Sequence, residues 1–360
     1  MRDPARGPAS SGIEVRLAIA LTKQTMTLGA LPGMVLGFVL NAVEAPMRAL
    51  QRLLGVPRIG WAFVTPNLIV LGLFTFLPIV IDFYYAFTGG VQLYPSERPF
   101  TGLDNLATLF DCRSYLDPST CRKDLFWRAV HNTAWFALIQ VGLMVLFSLA
   151  TALVLNRKIL GRGFFRGVFF YPVLLSPVVV ALVWKWILQR EGLLNAMLHG
   201  VGIAGPVWLD EPTWAFFWSV LVSIWAHMGF YTLILLAGLQ AIPADLYEAA
   251  EMDSASPWRR LWRITLPLLM PNLLVVLVLA LIRAVQVFDE IFVLTGGGPG
   301  SATLFIVQFI YQTAFAESIR LYGLAAAASL VLAVALLFLT LVQLRISRRS
   351  LSGSARRGDA

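Results

Sequence analysis

Two clusters of side chains in this 360-residue chain have the types and spacing to bind a solute, and neither carries a recognised catalytic arrangement. Arg283, Gln286 and Glu290 stand at i, i+3 and i+7, so a helix would carry them on one face. His227 and Tyr231 form an i, i+4 pair, with Ser223 and Trp225 close by. Both clusters interrupt long apolar runs, where an ionisable group is expensive and usually faces a cavity. The chemistry open to them is reversible hydrogen bonding to a polar solute, with Arg, Gln and His for hydroxyls and an aromatic face for C–H surface. The structural alternative is that Arg283 pairs with Asp289 or Glu290 and that Tyr231 is helix packing. Asn132, Gln140, Tyr171 and Lys185 are weaker members of the same set.

Other chemistry is thinly represented. The three histidines, His131, His199 and His227, show no H-E-x-x-H and no zinc-site spacing, so no metal is expected. No G-x-S-x-G occurs. The run from Thr295 to Gly300, TGGGPG, lacks the G-K-[ST] ending of a phosphate loop and reads as a tight turn. The chain is therefore not expected to hydrolyse nucleotide by itself, and active transport would draw on an ion gradient or a partner.

The elements that must position these groups follow from composition. The chain is 58% hydrophobic and only 13% charged, about half the charged fraction of a soluble protein. Stretches at roughly 61–87, 128–155, 167–188, 214–240, 266–292 and 321–344 are each long enough to cross the hydrocarbon core. The net charge of +8 reads as anchoring of cytoplasmic loops, not as nucleic-acid binding. Arg157, Lys158, Arg162 and Arg166 load the 156–166 loop. Arg259, Arg260 and Arg263 load the 241–265 loop, and five arginines load the tail. The bias alternates, which places both termini in the cytoplasm. The apolar segment 25–43 contains Pro32 and is flanked by basic residues on both sides, so an interfacial segment fits better than a seventh span. No A-x-A-type site follows it, which argues against a cleaved signal peptide. Cys112 and Cys121 lie in the outward 88–126 loop, either bridged or as two free thiols.

Between the fourth and fifth stretches lies EAAEMDSASPWRRLWRITLP, from Glu248 to Pro267. Asp245 falls near an N-cap, Glu248 in the first turn, and the helix should run to about Asp253. A turn at Ser254–Pro257 precedes a second short helix, Trp258 to Ile264, with an apolar face and a cationic one. The segment reads as an exposed helix–turn–helix knob. Its alternatives are a docking surface and a plain interfacial loop.

Glu248, Ala249, Ala250, Asp253, Ala255, Ile264, Leu266 and Pro267 match the EAA signature E-A-A-x-x-D-G-A-(x)8-I-x-L-P. The chain thus resembles the permease subunits of ABC importers. FTGLDNL at 100–106, GRGFFR at 161–166 and FDEIFVLTGGGPG at 288–300 resemble their sugar and glycerol-phosphate branch. The similarity covers roughly residues 60–345. It implies an all-α polytopic transmembrane bundle with six core spans, of the type I ABC-importer permease architecture. Residues 1–59 would be a cytoplasmic or interfacial extension and 346–360 a basic tail.

The resemblance also implies roles. The 241–267 loop would be the coupling helix, with Arg259 and Arg260 beside the signature residues, fitting a cleft on a cytoplasmic ATPase subunit. ATP and Mg would be bound by that partner and no cofactor by this chain. A second permease, two ATPase subunits and a periplasmic solute-binding protein would complete the assembly in a bacterial inner membrane, among membrane lipid. The solute, a carbohydrate or related polyol, would lie between the spans flanking the loop, beside Ser223, His227, Tyr231, Arg283, Gln286 and Glu290. Arg283 would equally suit an anionic polyol. Two departures stand out: Ser254 replaces the signature glycine, and Leu261 replaces a common aromatic. Glycine accepts a positive φ that serine adopts at a cost, and Pro257 offers another way of turning. Against these expectations stand an ion-coupled secondary transporter and a membrane-embedded enzyme. The first lacks a well-placed intramembrane carboxylate, since Asp82, Asp289 and Glu290 lie near span ends, and the second lacks a catalytic cluster.

Overall fold

The computed structural model describes residues 55–157 and 159–358, so the 25–43 segment and most of the N-terminal extension lie outside the described residues. No strand occurs among those described, and two isolated antiparallel bridges, Thr88 to Phe100 and Cys112 to Cys121, pin the 88–126 loop. The helices used below are α1 (Phe63–Ala86), α2 (Asp124–Asn156), α3 (Arg162–Phe170), α4 (Pro177–Leu188) and α5 (Pro212–Gln240). They continue with α6 (Ala244–Met252), α7 (Pro257–Val285), α8 (Asp289–Leu294) and α9 (Tyr322–Gly358). Five are long and apolar enough to cross a membrane: α1, α2, α5, α7 and the Tyr322–Arg345 part of α9.

The stretch expected to span at 167–188 is not one straight helix. It is α3, a 3₁₀ turn at Tyr171–Leu174, and α4, bent by 100° between the pieces Arg162–Leu174 and Pro177–Gly200. Pro177 explains the break. It has no N–H to give and holds Ser176 at φ −61°, ψ 136°, with Leu175 extended before it. The count reaches six only when this bent pair is taken as one span.

The fifth stretch also departs from expectation at both ends. No boundary falls at Leu266–Pro267. Instead the helix starts at Pro257 and runs through a π turn at Leu261–Thr265, where the Leu266 N–H reaches the Leu261 carbonyl. Pro267 and Pro271 cannot donate to the preceding turn, and a widened turn absorbs such a misfit. At its far end the helix stops at Val285 rather than 292. Gln286 (φ −96°, ψ 12°) and Phe288 (φ −148°, ψ −67°) leave helical angles before α8 begins.

Contacts divide the chain after Ile79, within α1. The unit from Val80 onward contains both candidate clusters. Its core is built by α2, α5 and α7, with Phe136, Met144, Leu235, Leu269 and Val276 buried together. A second cluster, including Leu109, Phe126, Phe309 and Ala327, joins the start of α2 to α9 and to the short helices Asp104–Phe110 and Ile306–Tyr311. Val334, Leu337 and Phe338 of α9 remain exposed, as a lipid-facing surface requires.

Lipid is as apolar as leucine, so close packing and hydrogen bonds hold such helices together. A Cβ at Gly229 would overlap the Phe169 carbonyl, so α5 touches the end of α3 backbone to backbone. A Cβ at Gly238 would collide with the Asn272 side chain of α7. Buried hydroxyls bond back within their own helices, Thr133 to Ala129 O at 2.7 Å, Ser219 to Ala215 O at 2.7 Å and Thr232 to Met228 O at 2.8 Å.

Gly229→Ala should therefore force α3 and α5 apart, at a cost of about 1–3 kcal/mol. Gly142, with nothing within 4 Å of an added Cβ, is the control. Thermal unfolding of the detergent-solubilised chain should show a lowered midpoint for Gly229→Ala and none for Gly142→Ala. Equal midpoints would contradict the close contact.

Candidate functional site

The EAA segment folds as an exposed helix held from behind. α6 starts after Pro243, with Asp245 in its first turn. Glu248 falls in the second turn, later than the sequence suggested, because helical angles begin only at Ala244. Ala250 is buried, and on the same stretch Glu248, Ala249, Asp253 and Ser254 are exposed. Two contacts fix this orientation. The Tyr247 hydroxyl meets Thr265 Oγ1 at 3.0 Å, and Glu251 pairs with Arg260. Arg260 is thus engaged within the chain, whereas Arg259 is exposed.

The turn after α6 keeps the glycine-type geometry without the glycine. Ser254 sits at φ +53°. The Ala255 N–H donates to Ala250 O at 2.9 Å and the Ser254 N–H to Glu251 O at 2.9 Å, which is the Schellman pattern of a left-handed helix terminus. Pro257 does not impose another turn. It opens α7, capped by Ser256, whose hydroxyl accepts from the Arg259 N–H at 3.3 Å. Leu266 and Pro267 lie within α7 itself.

The second cluster lines a cavity of about 450 Å³ formed by His227, Phe230, Tyr231, Arg283, Gln286, Phe288, Asp289 and Glu290, with Val173, Leu279, Ile282 and Val287. Arg283, Gln286 and Glu290 do meet there, but not on one continuous helical face. The chain unwinds at 286–288 between them, so Glu290 arrives on α8. Arg283 pairs with neither Asp289 nor Glu290 among the described residues. Its guanidinium instead donates to His227 Nε2. His227 Nδ1 lies 2.8 Å from the Ser223 carbonyl, which can only accept. Nδ1 therefore carries the hydrogen, and Nε2 offers its lone pair to Arg283. The Ser223 hydroxyl donates to Glu290 Oε1 at 3.4 Å from outside the cavity lining. A relay Glu290–Ser223–His227–Arg283 thus presets the cavity.

The weaker candidates separate. Asn132 donates to Ser301 O at 2.7 Å and Leu304 O at 3.1 Å, and Thr133 Oγ1 accepts from the Ile306 N–H at 2.9 Å. Both hold the 295–305 loop on α2. Lys185 Nζ donates to Val293 O at 3.1 Å, tying α4 to α8. Gln140 is buried and Tyr171 exposed, both outside the cavity lining. Phe230, Phe288 and Asp289 are lining residues that spacing alone missed. The Phe288-Asp289-Glu290 run gave a signal in its similarity to the importer branch, but not a position. Tyr247 and Thr265 lie 18 residues apart, so no local pattern pairs them.

Cys112 and Cys121 are joined by a disulfide that closes a short loop, 112–121, within the 88–126 segment. Nearby Arg98 is buried, lying 4.6 Å from the Tyr85 ring centroid and donating to Thr88 Oγ1 at 2.9 Å and Gln92 O at 2.6 Å. Burial lowers its pKa from the ordinary guanidinium value, while the neighbouring tyrosines oppose the shift.

Comparison with known proteins gives these features a family. Residues 144–351 match the family described as binding-protein-dependent transport system inner membrane component. The trehalose/maltose transport system permease protein MalF of Thermococcus litoralis is 38% identical over 294 residues, covering 81% of this chain and 94% of that protein. The sulfoquinovosyl glycerol transport system permease protein SmoG of Agrobacterium fabrum is 34% identical over 291 residues, covering 79% and 89%. The fold is similar to a chain of a bacterial alginate ABC transporter solved in complex with an alginate pentasaccharide-bound periplasmic protein, with a TM-score of 0.68, 26% identity, and 83% and 97% of the two chains covered. The family is a transport component, not an enzyme. The chain belongs to the binding-protein-dependent transport system inner membrane components, the multi-span permeases of ABC importers.

Proposed function

We propose that this permease carries a carbohydrate or related polyol across a bacterial inner membrane, with both termini in the cytoplasm. Two ATPase subunits, one of them docked on α6, hold ATP and Mg, and this chain holds no cofactor. A second, similar permease completes the pore, and a periplasmic solute-binding protein delivers the solute. The observation that carries this reading is the presentation of Glu248, Ala249 and Asp253 on a helix braced from behind. A braced helix transmits a push, whereas a floppy loop would absorb it.

In this mechanism the exposed face of α6 enters a groove on the ATPase, with Glu248 and Arg259 making charge-assisted contacts. ATP-driven closure of the two ATPases moves α6. The Tyr247–Thr265 and Glu251–Arg260 contacts pass that motion to the start of α7, and α5 follows through its direct link to α6. The solute cavity lies between α5 and the end of α7, so its walls shift as inward-open becomes outward-open. The names of the relatives, which transport trehalose and maltose or sulfoquinovosyl glycerol, support a glycoside-like cargo. The cavity suits it, with Arg283, Gln286 and Glu290 for hydroxyls and Tyr231, Phe230 and Phe288 beside them.

The test is uptake by proteoliposomes holding the complete complex, with a panel of labelled mono- and disaccharides. Glu248→Arg should abolish uptake while membrane insertion stays intact, and normal uptake would sink the docking role. Ser254→Gly should retain uptake and stabilise the chain by about 1–2 kcal/mol, the usual cost of a left-handed L-residue, whereas Ser254→Val should lose uptake. Equal activity of the two would show that the turn is not needed. Arg283→Gln should raise the half-saturating solute concentration about tenfold or more, as expected for losing a hydrogen bond to a charged group. An unchanged value would remove Arg283 from the solute path.

A further inference from the structure

Arg162 and Arg166 stand one turn apart on α3, both partly buried. Neither has an acidic partner among the described residues. With the Gln240 amide turned so that its oxygen faces them, that oxygen accepts from Arg162 Nη2 at 2.8 Å and from Arg166 Nη2 at 2.7 Å. One neutral oxygen at the end of α5 therefore gathers two full positive charges. The Nε atom of each guanidinium is buried without an acceptor. A buried donor left unpaired is costly, and more so when it is charged. Two adjacent cations sharing one neutral acceptor are an incomplete arrangement, and an anion would complete it.

An apolar slot adjoins these charges. Phe165 and Phe169 fall on the same side of α3 as Arg162 and Arg166, by their spacing of three and four residues. They line a cavity of about 390 Å³ with Ala150, Thr151, Val154 and Leu155 of α2 and with Ile159. The Thr151 hydroxyl is its one polar side-chain group. Leu160 before α3, and Phe164 and Val168 on it, are exposed, as on a helix lying in a membrane interface. The basic 156–166 loop marks this end as cytoplasmic, facing the leaflet rich in anionic lipid.

A free anion would match the charges but leave the slot open. An acidic side chain of another subunit would do the same. We propose that this junction of α2, α3 and α5 is a binding site for an anionic phospholipid. Its headgroup phosphate engages the Arg162 and Arg166 guanidiniums, and one acyl chain lies in the slot between α2 and α3. Arginine forks suit phosphate oxygens, which accept two N–H groups at once. The site is separate from the solute cavity and does not depend on the identity of the solute.

Native mass spectrometry of the full-length chain in detergent tests this, with dioleoyl phosphatidylglycerol, dioleoyl phosphatidylcholine and inorganic phosphate as probes. Phosphatidylglycerol should form a one-lipid adduct at about a thirtyfold lower concentration than phosphatidylcholine, from two basic contacts. The double variant Arg162→Gln with Arg166→Gln should lose that preference. Val154→Trp, which fills the slot from an exposed position and leaves both arginines in place, should weaken the adduct and carries the test if the double variant does not fold. Inorganic phosphate should not displace the lipid at equal concentration. Equal binding of the two lipids would overturn the proposal and leave an acidic protein partner as the occupant. Displacement by phosphate would overturn it in favour of a free anion. A phosphatidylglycerol adduct unchanged in either variant would overturn it as well.

Discussion

Hydrocarbon offers no partner to a backbone N–H or C=O group, so a chain may leave the helix inside a membrane only where other protein or a wet cavity meets it. The breaks in this chain obey that constraint, and its function is built from them. At Leu175–Ser176 the bend leads back onto α5, which comes close enough at Gly229 to exclude any side chain. At 286–288 the unwound segment opens onto the cavity that holds Arg283 and Glu290. The 295–305 loop is held by Asn132 and Thr133 of α2. These three departures from regular helix are thus also joints or linings.

The joints connect the two sites. α6 and α7 are fastened by a hydroxyl pair and an ion pair, and α5 and α7 share the core through Leu235, Leu269 and Val276. A displacement of α6 therefore reaches both helices that wall the cavity. On this path Ser254 is the one non-glycine among the described residues with a left-handed backbone, which glycine would adopt without cost. Two hydrogen bonds across the turn hold it there.

Much of the frame was legible in the sequence because it rests on composition and period. Twenty-residue apolar runs and the EAA signature are local or additive signals. The bent third span was not legible as a bend, although Pro172 and Pro177 were in view, since prolines are also tolerated in straight membrane helices. The residues proposed for the solute path meet in one cavity, but not for the reason their spacing suggests. The i, i+3, i+7 spacing assumed an unbroken helix, whereas Glu290 reaches the cavity after the chain unwinds at Gln286. The partners that lock it, His227 to Arg283 and Ser223 to Glu290, lie 56 and 67 residues apart and leave no local trace. Asn132 and Lys185 were grouped with the solute candidates because polarity inside a span signals a role without saying which.

In the proposed mechanism, energy enters this permease through the exposed face of α6. A photo-crosslinking amino acid placed at Ala249, in membranes containing the whole transporter, tests it most directly. Illumination should give an adduct between this chain and the ATPase subunit, and none from the same probe at the exposed residue Tyr94 of the 88–126 loop. No ATPase adduct from position 249, or equal adducts from both positions, would contradict it.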